Sequence, residues 1–376
     1  MGVTEPSYPA PSSGRAIRPN FFAPGGLLET SMHRRKFLSL IGGGALAAGI
    51  LACAGDDDSG PVFEDTASLP ASVPPGTEVT IAGLSTSIQM KLSGLEQTLP
   101  FKVPDWPNLS AGPDVINGFR SGSVDLASNA GIPPIQAHFQ GGINARIVAV
   151  RLTRVPTYVF VTRPGSDIRT VADFMGKKLG FSQGQAQGVV TLRALKQAGI
   201  SQKDVQLIEL NSPQFLTALQ AGQVDVAPLG ITAVYQYLNQ YGKDGAREVK
   251  TDVVDRLTVL WAPGRILANE AKVAAIAAYI PVWAKGAVWQ HENPDIWIQK
   301  YYVEDQGITA EQGRAVVEAS SKPLFPPKWD EAIAWEQETI DLLSEGGFVE
   351  PFDANILFDR RFEHLAAPAV AEEYRS

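Results

Sequence analysis

The chain has 376 residues, a formal charge of −8 and one cysteine. Its length suffices for two α/β lobes, and its acidity, with no basic face, excludes a phosphate-backbone-binding role. A lone thiol excludes an intramolecular disulfide, so stability rests on the hydrophobic core.

Residues 1–31 are rich in Pro, Ser and Gly and lack periodicity. They read as disorder or as translation from a wrongly chosen start, with Met32 the expected initiator. His33-Arg34-Arg35-Lys36 then precedes an apolar run, Phe37 to Ala52, of 16 residues with four glycines, too short and glycine-rich for a bilayer span. Paired arginines ahead of such a run form a twin-arginine export signal. His33, where Ser or Thr is usual, leaves general export open. Ile50-Leu51-Ala52-Cys53 resembles a bacterial lipobox, in which the chain is cut before the cysteine and the thiol is lipidated; the alternative is a chance cysteine after an apolar run. Cys53 falls where that run meets Ala54-Gly55-Asp56-Asp57-Asp58. Residues 32–52 are therefore expected to be an export signal, and 53–76 a lipidated flexible tether that holds the body at the outer face of a membrane. Loss of residues 1–52 removes five Lys/Arg and two Asp/Glu and leaves a charge of −11. No later apolar run is expected to reach membrane-spanning length.

Thr77 to Leu84 reads as a strand ending in the hydroxyl-rich loop Ser85-Thr86-Ser87. Phe101 to Val103 is a candidate second strand, followed by Asp105-Trp106-Pro107. Trp106, just past that strand end, either faces a cleft or packs. A helix is expected over Pro113 to Arg120. A strand over Val124 to Ser128 ends in Asn129-Ala130-Gly131, and further strands run over Ile147 to Leu152 and Tyr158 to Thr162. Arg151, near the end of one of them, suits either a bidentate anion contact or a surface or hinge ion pair. A helix over Val171 to Met175 precedes Leu179 to Phe181, read as a strand. A turn, Ser182-Gln183-Gly184-Gln185-Ala186-Gln187-Gly188, leads into a helix stopping at Gly199, where a C-terminal glycine belongs. Such a turn exposes backbone N–H groups to acceptors and anions; the alternative is an ordinary βα unit. A strand over Val205 to Leu210, a helix over Gln214 to Ala221 and a strand over Val224 to Leu229 follow. Leu257 to Trp261 carries the chain back to the first lobe.

Phe119-Arg-Ser-Gly122-Ser-Val-Asp125-Leu-Ala127 is echoed 100 residues later by Leu219-Gln-Ala-Gly222-Gln-Val-Asp225-Val-Ala227. That period is too long for a solenoid and implies two similarly built lobes. One is expected over 77–156 and 255–376, the other over 157–254. In open α/β sheets ligands bind beyond the carboxyl ends of strands. The expected solute-contacting residues are Ser85, Thr86, Ser87, Trp106, Ser128, Asn129, Ala130, Arg151, Ser182, Gln183, Gly184, Gln185, Ala186, Gln187, Leu229, Gly230 and Ile231. From Asn269 the pattern is helical: Glu270 to Glu292, Asp295 to Gln306, Thr309 to Ser320 and Asp330 to Gly346. Trp283, Trp289, Trp297, Trp329 and Trp335 there are expected to pack on the first lobe rather than stack on a ligand.

The ordered motifs Ser121-Gly122-Ser123-Val124-Asp125, Gly131-Ile132-Pro133-Pro134, Arg163-Pro164-Gly165-Ser166-Asp167-Ile168, Val171-Ala172-Asp173-Phe174-Met175-Gly176-Lys177-Lys178, Leu192-Arg193-Ala194-Leu195 and Ala221-Gly222-Gln223-Val224-Asp225 resemble solute-binding proteins of ABC importers. The similar group is the sulfonate, taurine and nitrate binders, with thiamine-precursor binders, over about Val79 to Phe352. The resemblance implies an α/β, type II periplasmic-binding fold: two α/β lobes joined by a two-strand hinge, with C-terminal helices on lobe 1. It also implies a monomer that delivers a small-molecule solute to an ABC permease with a cytoplasmic ATPase. No cofactor is expected, and no G-x-x-x-x-G-K-[ST] loop occurs in this chain. Gln185 and Ala186 stand where relatives often have hydroxyls, and the Trp and acid-Pro pair that relatives often carry near Leu229-Gly230-Ile231-Thr232 is missing, which argues against an amine such as taurine. The expected solute is a small sulfonate-like organic anion; a heteroaromatic solute is the alternative. A sensor subunit and an enzyme remain as other classes. Some relatives of this fold desulfinate with a cysteine, but Cys53 belongs to the export signal. His138, His291 and His364 lack metal-site spacing, and His138 reads as a packing or surface residue.

Overall fold

The computed structural model describes residues 68–375 apart from Leu84, Ser110, Ala111, Gln140 and Gly141. The upstream start, the export signal, Cys53 and most of the tether lie outside the described residues. The first elements are β1 (Ile81–Ala82), α1 (Thr86–Ser93), α2 (Gly112–Ser121), β2 (Leu126–Ala130), α3 (Ile132–Phe139) and β3 (Ala145–Leu152). Then come β4 (Tyr158–Thr162), β5 (Lys178–Phe181), α4 (Ala186–Gln197), β6 (Gln206–Glu209), α5 (Phe215–Gln220), β7 (Val226–Gly230), α6 (Ile231–Tyr241) and β8 (Glu248–Val249). The rest holds β9 (Leu257–Pro263), α7 (Gly264–Leu267), α8 (Glu270–Glu292), α9 (Pro294–Trp297), α10 (Ala310–Ala319) and α11 (Asp330–Glu345).

Two sheets form, in the orders β1-β2-β9-β3 and β6-β5-β7-β4-β8. In the first, β1 and β2 are parallel, and β9 runs antiparallel to both β2 and β3. In the second, β5 is parallel to β6 and β7, and β4 is antiparallel to β7 and β8. In each sheet a strand that enters just after a crossing, β4 or β9, runs against its neighbours. The crossings lie side by side: the Thr153 N–H donates to the Arg256 carbonyl at 2.9 Å. A third segment braces them, with Leu152 and Leu324 exchanging backbone hydrogen bonds.

The 100-residue echo has a structural cause. Gly122 and Gly222 both adopt left-handed φ, +74° and +67°, which lets the backbone turn out of α2 and α5 without a Cβ clash. In both copies the carboxylate caps the neighbouring parallel strand at its start. Asp125 accepts from the Thr80 N–H at 2.9 Å, and Asp225 from the Lys178 N–H at 2.9 Å. A cation pairs with each: Lys272 with Asp125 at 2.7 Å, Arg163 with Asp225 at 2.9 Å. The motif thus starts strands at the edge opposite their carboxyl ends.

Several expectations change in detail. Phe101 to Val103 is not a strand; it touches β1's approach only through the Glu78–Lys102 bridge, and Pro104 and Pro107 nearby supply no N–H. β2 extends through Asn129 and Ala130 because β9 pairs with them at Val259 and Thr258, so these are strand rather than loop residues. Val171–Phe174 is a single 3-10 turn. The expected helix over Asp295 to Gln306 splits into α9 and a π-helix, Ile298–Asp305. α8 is long and apolar enough by length and composition to cross a membrane, which corrects the expectation that no later run is. Its Val273, Ile276, Ile280 and Trp283 are buried in the first-sheet core.

Candidate functional site

A cavity of about 370 Å³ opens at the junction of the two sheets and the C-terminal helices. Its walls come from the ends of β2, β3 and β9, the two crossings, the starts of β4 and α6, and residues of α8, α9, the π-helix and the 319–323 turn. The sheets supply Ala130, Arg151, Tyr158, Ile231 and Thr258, the second crossing Asp255, and the helical layer Gln290, His291, Trp297 and Tyr302.

Arg151 dominates the chemistry. It stands on β3 opposite Thr258 of β9, and its Nη2 donates to Thr258 Oγ1 at 3.1 Å. Its guanidinium lies 6.0 Å from the Trp283 ring centre. No carboxylate pairs with it among the described residues, and burial alone pushes its pKa down to about 10. It therefore stays charged at neutral pH, an uncompensated cation facing the cavity. Such a charge is costly to hold unless something pairs with it.

A second electrostatic feature lies at the cavity edge. Burial pushes Asp255 up to about 7, with Arg193 opposing the shift. Behind it Glu336 of α11 is 1% exposed, and burial first, then Asp255, push it up to about 8, with Arg193 again opposing. Its Oε1 has no hydrogen-bond partner among the described residues. A Cβ on Gly131 would strike the Glu336 carboxylate, so a larger residue there would force that carboxylate to move. Arg193 of α4 donates to Thr339 Oγ1 at 2.9 Å and sits 3.7 Å from the Trp335 ring centre. Arg256 covers Trp335 at 4.6 Å, so the indole lies between two guanidinium groups.

Of the residues expected from the sequence, Ala130, Arg151 and Ile231 line the cavity. The β5–α4 turn does not. Gln185 Oε1 accepts from Ser182 Oγ at 2.7 Å and from the Ser212 N–H at 2.8 Å. The Gln183 N–H donates to Glu209 at 3.0 Å, its side chain to the Phe348 carbonyl at 2.8 Å, and its own carbonyl accepts from Gln136 at 3.2 Å. Gly184 abuts Gly112, whose added Cβ would lie 2.6 Å from the Gly184 carbonyl. Ala186 is buried in the core, and Gln187 follows it on the first turn of α4. The turn is satisfied by the protein's own groups and packs against α2, α3 and the segment around Phe348.

Other expected residues are also engaged internally. Asn129 Oδ1 accepts from Trp261 Nε1 at 2.9 Å, and Ser128 packs near Gly83. Thr86 is buried beside Gly83, while Ser85 and Ser87 stand half-buried at the start of α1. Trp106 donates to Glu96 at 2.9 Å and packs near Tyr279, on the first-sheet core. Leu229 is buried in the second-sheet core, and Gly230 precedes α6. His138 packs on Phe352 at 4.8 Å. Trp283 and Trp329 lie in the first-sheet core, with Trp335 packed against it. Trp297 forms a separate cluster with Tyr301 and Tyr302, which Trp289 joins. Trp297 stacks on Tyr301 at 4.5 Å and also reaches the cavity wall.

Two α/β lobes joined by paired crossings, with a cavity between them, define the periplasmic-binding-protein fold. Residues 110–296 match the family model described as NMT1/THI5 like. A putative aliphatic sulfonates-binding protein of Escherichia coli (strain K12) is 35% identical over 143 residues, 37% of this chain. That match spans 44% of the relative's own length. A taurine-binding periplasmic protein of the same strain is 23% identical over 235 residues, 59% of this chain and 69% of that one. Among solved structures, the alkanesulfonate-binding protein of Xanthomonas axonopodis pv. citri bound to MOPS superposes with a TM-score of 0.64 at 21% identity, over 81% of this chain and all of that one. The resemblance to the sulfonate- and taurine-binding group read from the motifs is borne out.

Proposed function

We propose that this chain is the extracytoplasmic solute-binding component of an ABC importer and captures a small organic anion of the sulfonate class between its lobes. The observation that carries this reading is Arg151, a charged guanidinium on the cavity wall that donates to Thr258 and has no carboxylate paired with it among the described residues. A sulfonate or carboxylate would supply the missing counter-charge and accept two parallel hydrogen bonds. We take residues 77–156 with 255–376 as one lobe and 157–254 as the other, with closure about the paired crossings. Ile50-Leu51-Ala52-Cys53 supports export and a lipid anchor at Cys53 on the outer membrane face. The chain acts as a monomer, delivers its solute to a permease coupled to a cytoplasmic ATPase, and performs no chemistry on it.

The aromatic rings of Trp297, Tyr158 and Tyr302 around the same cavity favour a heteroaromatic solute as the second reading. Thermal unfolding of the purified full chain against alkyl and aryl sulfonates, nitrate and pyrimidines separates the two. A ligand at about 100 times its dissociation constant stabilises by about 2.7 kcal/mol. Sulfonates should raise the melting temperature. Arg151→Met should abolish that rise, weakening binding about 100-fold or more, while leaving the unliganded protein as stable or more so, because an unpaired buried charge is gone. A sulfonate shift that survives in Arg151→Met sinks the anion reading, and a shift with pyrimidines alone moves it to the aromatic wall.

A further inference from the structure

α11 turns one stripe toward the hinge. Glu331, Trp335, Glu338 and Glu345 stand at i, i+4, i+7 and i+14 of this helix, so they share a face. Each meets a cation from outside the helix. Glu331 takes both crossings. It accepts two hydrogen bonds from Arg154 of the first, at 2.6 and 3.1 Å, and lies 3.5 Å from Arg256 of the second. The Trp335 ring carries Arg256 at 4.6 Å and Arg193 of α4 at 3.7 Å from its centre. Glu338 reaches Arg193 at 3.6 Å, and Glu345 pairs with Lys196 of α4 at 3.0 Å. The two guanidinium groups on Trp335 are at most about 8.3 Å apart and repel each other. Glu331 offsets that repulsion beside Arg256, and Glu338 beside Arg193.

We propose that Glu331 is the positioning residue of the hinge. It clamps both crossings to lobe 1 and holds Arg256 on Trp335, the platform on which Arg193 of the other lobe closes. Ionic strength then sets the balance between closed and open lobes. This rests on the two-lobe closure proposed above, not on the identity of the solute. Glu331, Arg154 and Arg256 are each about two-fifths exposed, so dissolved salt reaches the clamp. The hydrogen bond from Arg154, first of all, holds Glu331 below the usual carboxylate range, so the clamp stays charged at neutral pH. Farther along, α4 and α11 do not close up. An open groove of about 450 Å³, lined by Leu192, Leu195, Ile200, Leu207 and Leu342, lies there. Charge–charge attraction over such distances fades as the screening length drops from about 10 Å at 0.1 M salt to about 3 Å at 1 M.

X-ray scattering and tryptophan fluorescence of the solute-free full chain test this, at constant pH, from about 20 mM to about 1 M potassium chloride. The radius of gyration should grow with salt. Trp335 emission, taken as the difference between wild type and Trp335→Phe, should change over the same range. Glu331→Gln should scatter at low salt as the wild type does at high salt, its open-to-closed ratio raised about threefold or more. Glu331→Asp should restore part of the salt response. A radius that salt leaves unchanged or shrinks overturns the proposal. So does a response that Glu331→Gln retains in full, which assigns it to other pairs such as Lys196 with Glu345. Should Glu331→Gln not fold, Arg154→Gln removes the same pair from its exposed side and is read in the same way. With no solute present, either failure leaves the anion reading standing, and failure of sulfonates to bind leaves the clamp standing.

Discussion

Three charged side chains, Arg193, Asp255 and Glu336, are separated by tens of residues in the chain and meet between the lobes. Only one is cationic, so at neutral pH the group cannot hold both carboxylates ionised without cost. The sign of the pH dependence follows. Glu336 has a folded value of about 8, above that of an unfolded glutamate, so the folded state binds the extra proton. Its contribution is fully present below the unfolded value and lost as pH rises through the folded one. Asp255, raised to about 7, acts in the same direction. The melting temperature is expected to fall from about pH 5 to about pH 8, at no more than about 1.4 kcal/mol per pH unit for each group. Glu336→Gln should flatten that slope and stabilise the protein at the alkaline end. A slope unchanged in the variant would show that Glu336 does not titrate in this window. Gly131, which leaves room for this carboxylate, was legible as part of a motif, but the reason for it was not.

At the scale of elements, the two Val-Asp echoes are equivalent devices. Each puts a helix stop, a left-handed glycine and a strand-capping aspartate into a few residues, and local chemistry of that kind is readable without knowing the fold. Asp125→Ala removes the acceptor for the Thr80 N–H and the partner of Lys272. Asp225→Ala does the same to the Lys178 N–H and Arg163. Each should cost about 1–3 kcal/mol, read by chemical denaturation, and Asp125 should cost more, its side chain being 14% exposed against 22% for Asp225. Equal, negligible losses would mean that the echo is a sequence coincidence without energetic weight. The C-terminal helices α8, α10 and α11 were equally legible from their periodicity. The π-helix was not: nothing in Ile298–Asp305 distinguishes it locally, and its widened turn accompanies the packing of Trp297, Tyr301 and Tyr302 between α1 and α6.

For the whole molecule, α4 from the second lobe is tied to α11. Arg193 reaches Thr339, Glu338 and Trp335, and Lys196 pairs with Glu345 at 3.0 Å. Lys196 and Glu345 are mostly exposed, so that pair contributes little, whereas Arg193 is largely covered and stacked. Arg193 is one of several ties there, alongside the Gln183 side chain on the Phe348 carbonyl. Arg193→Ala should shift the solution ensemble toward a more open arrangement, seen as a larger radius of gyration in X-ray scattering of the unliganded chain and a smaller difference between α4 and the loops in hydrogen-exchange protection. No change in the scattering radius would place the closing energy elsewhere, in the packing of the β5–α4 turn around Phe348.

The sequence by itself determined the α/β class, the two-lobed plan and the helices and strands within a few residues, and it singled out Arg151, which the structure places on the cavity wall. Each of these is written in local periodicity, in glycine and capping chemistry, or in a strand end. Only the tertiary structure decided which strand ends meet. It turned the Ser182–Gln187 loop inward, because Glu209, Ser212 and Phe348 supply its hydrogen bonds, and it brought Asp255 to the cavity wall from a crossing that carries no motif. It also laid Trp297 and Tyr302 over the site. These outcomes depend on the mutual position of segments as much as 165 residues apart, such as Gln183 and Phe348. Side-chain periodicity reports which face of an element is buried, but it does not report what that face is buried against.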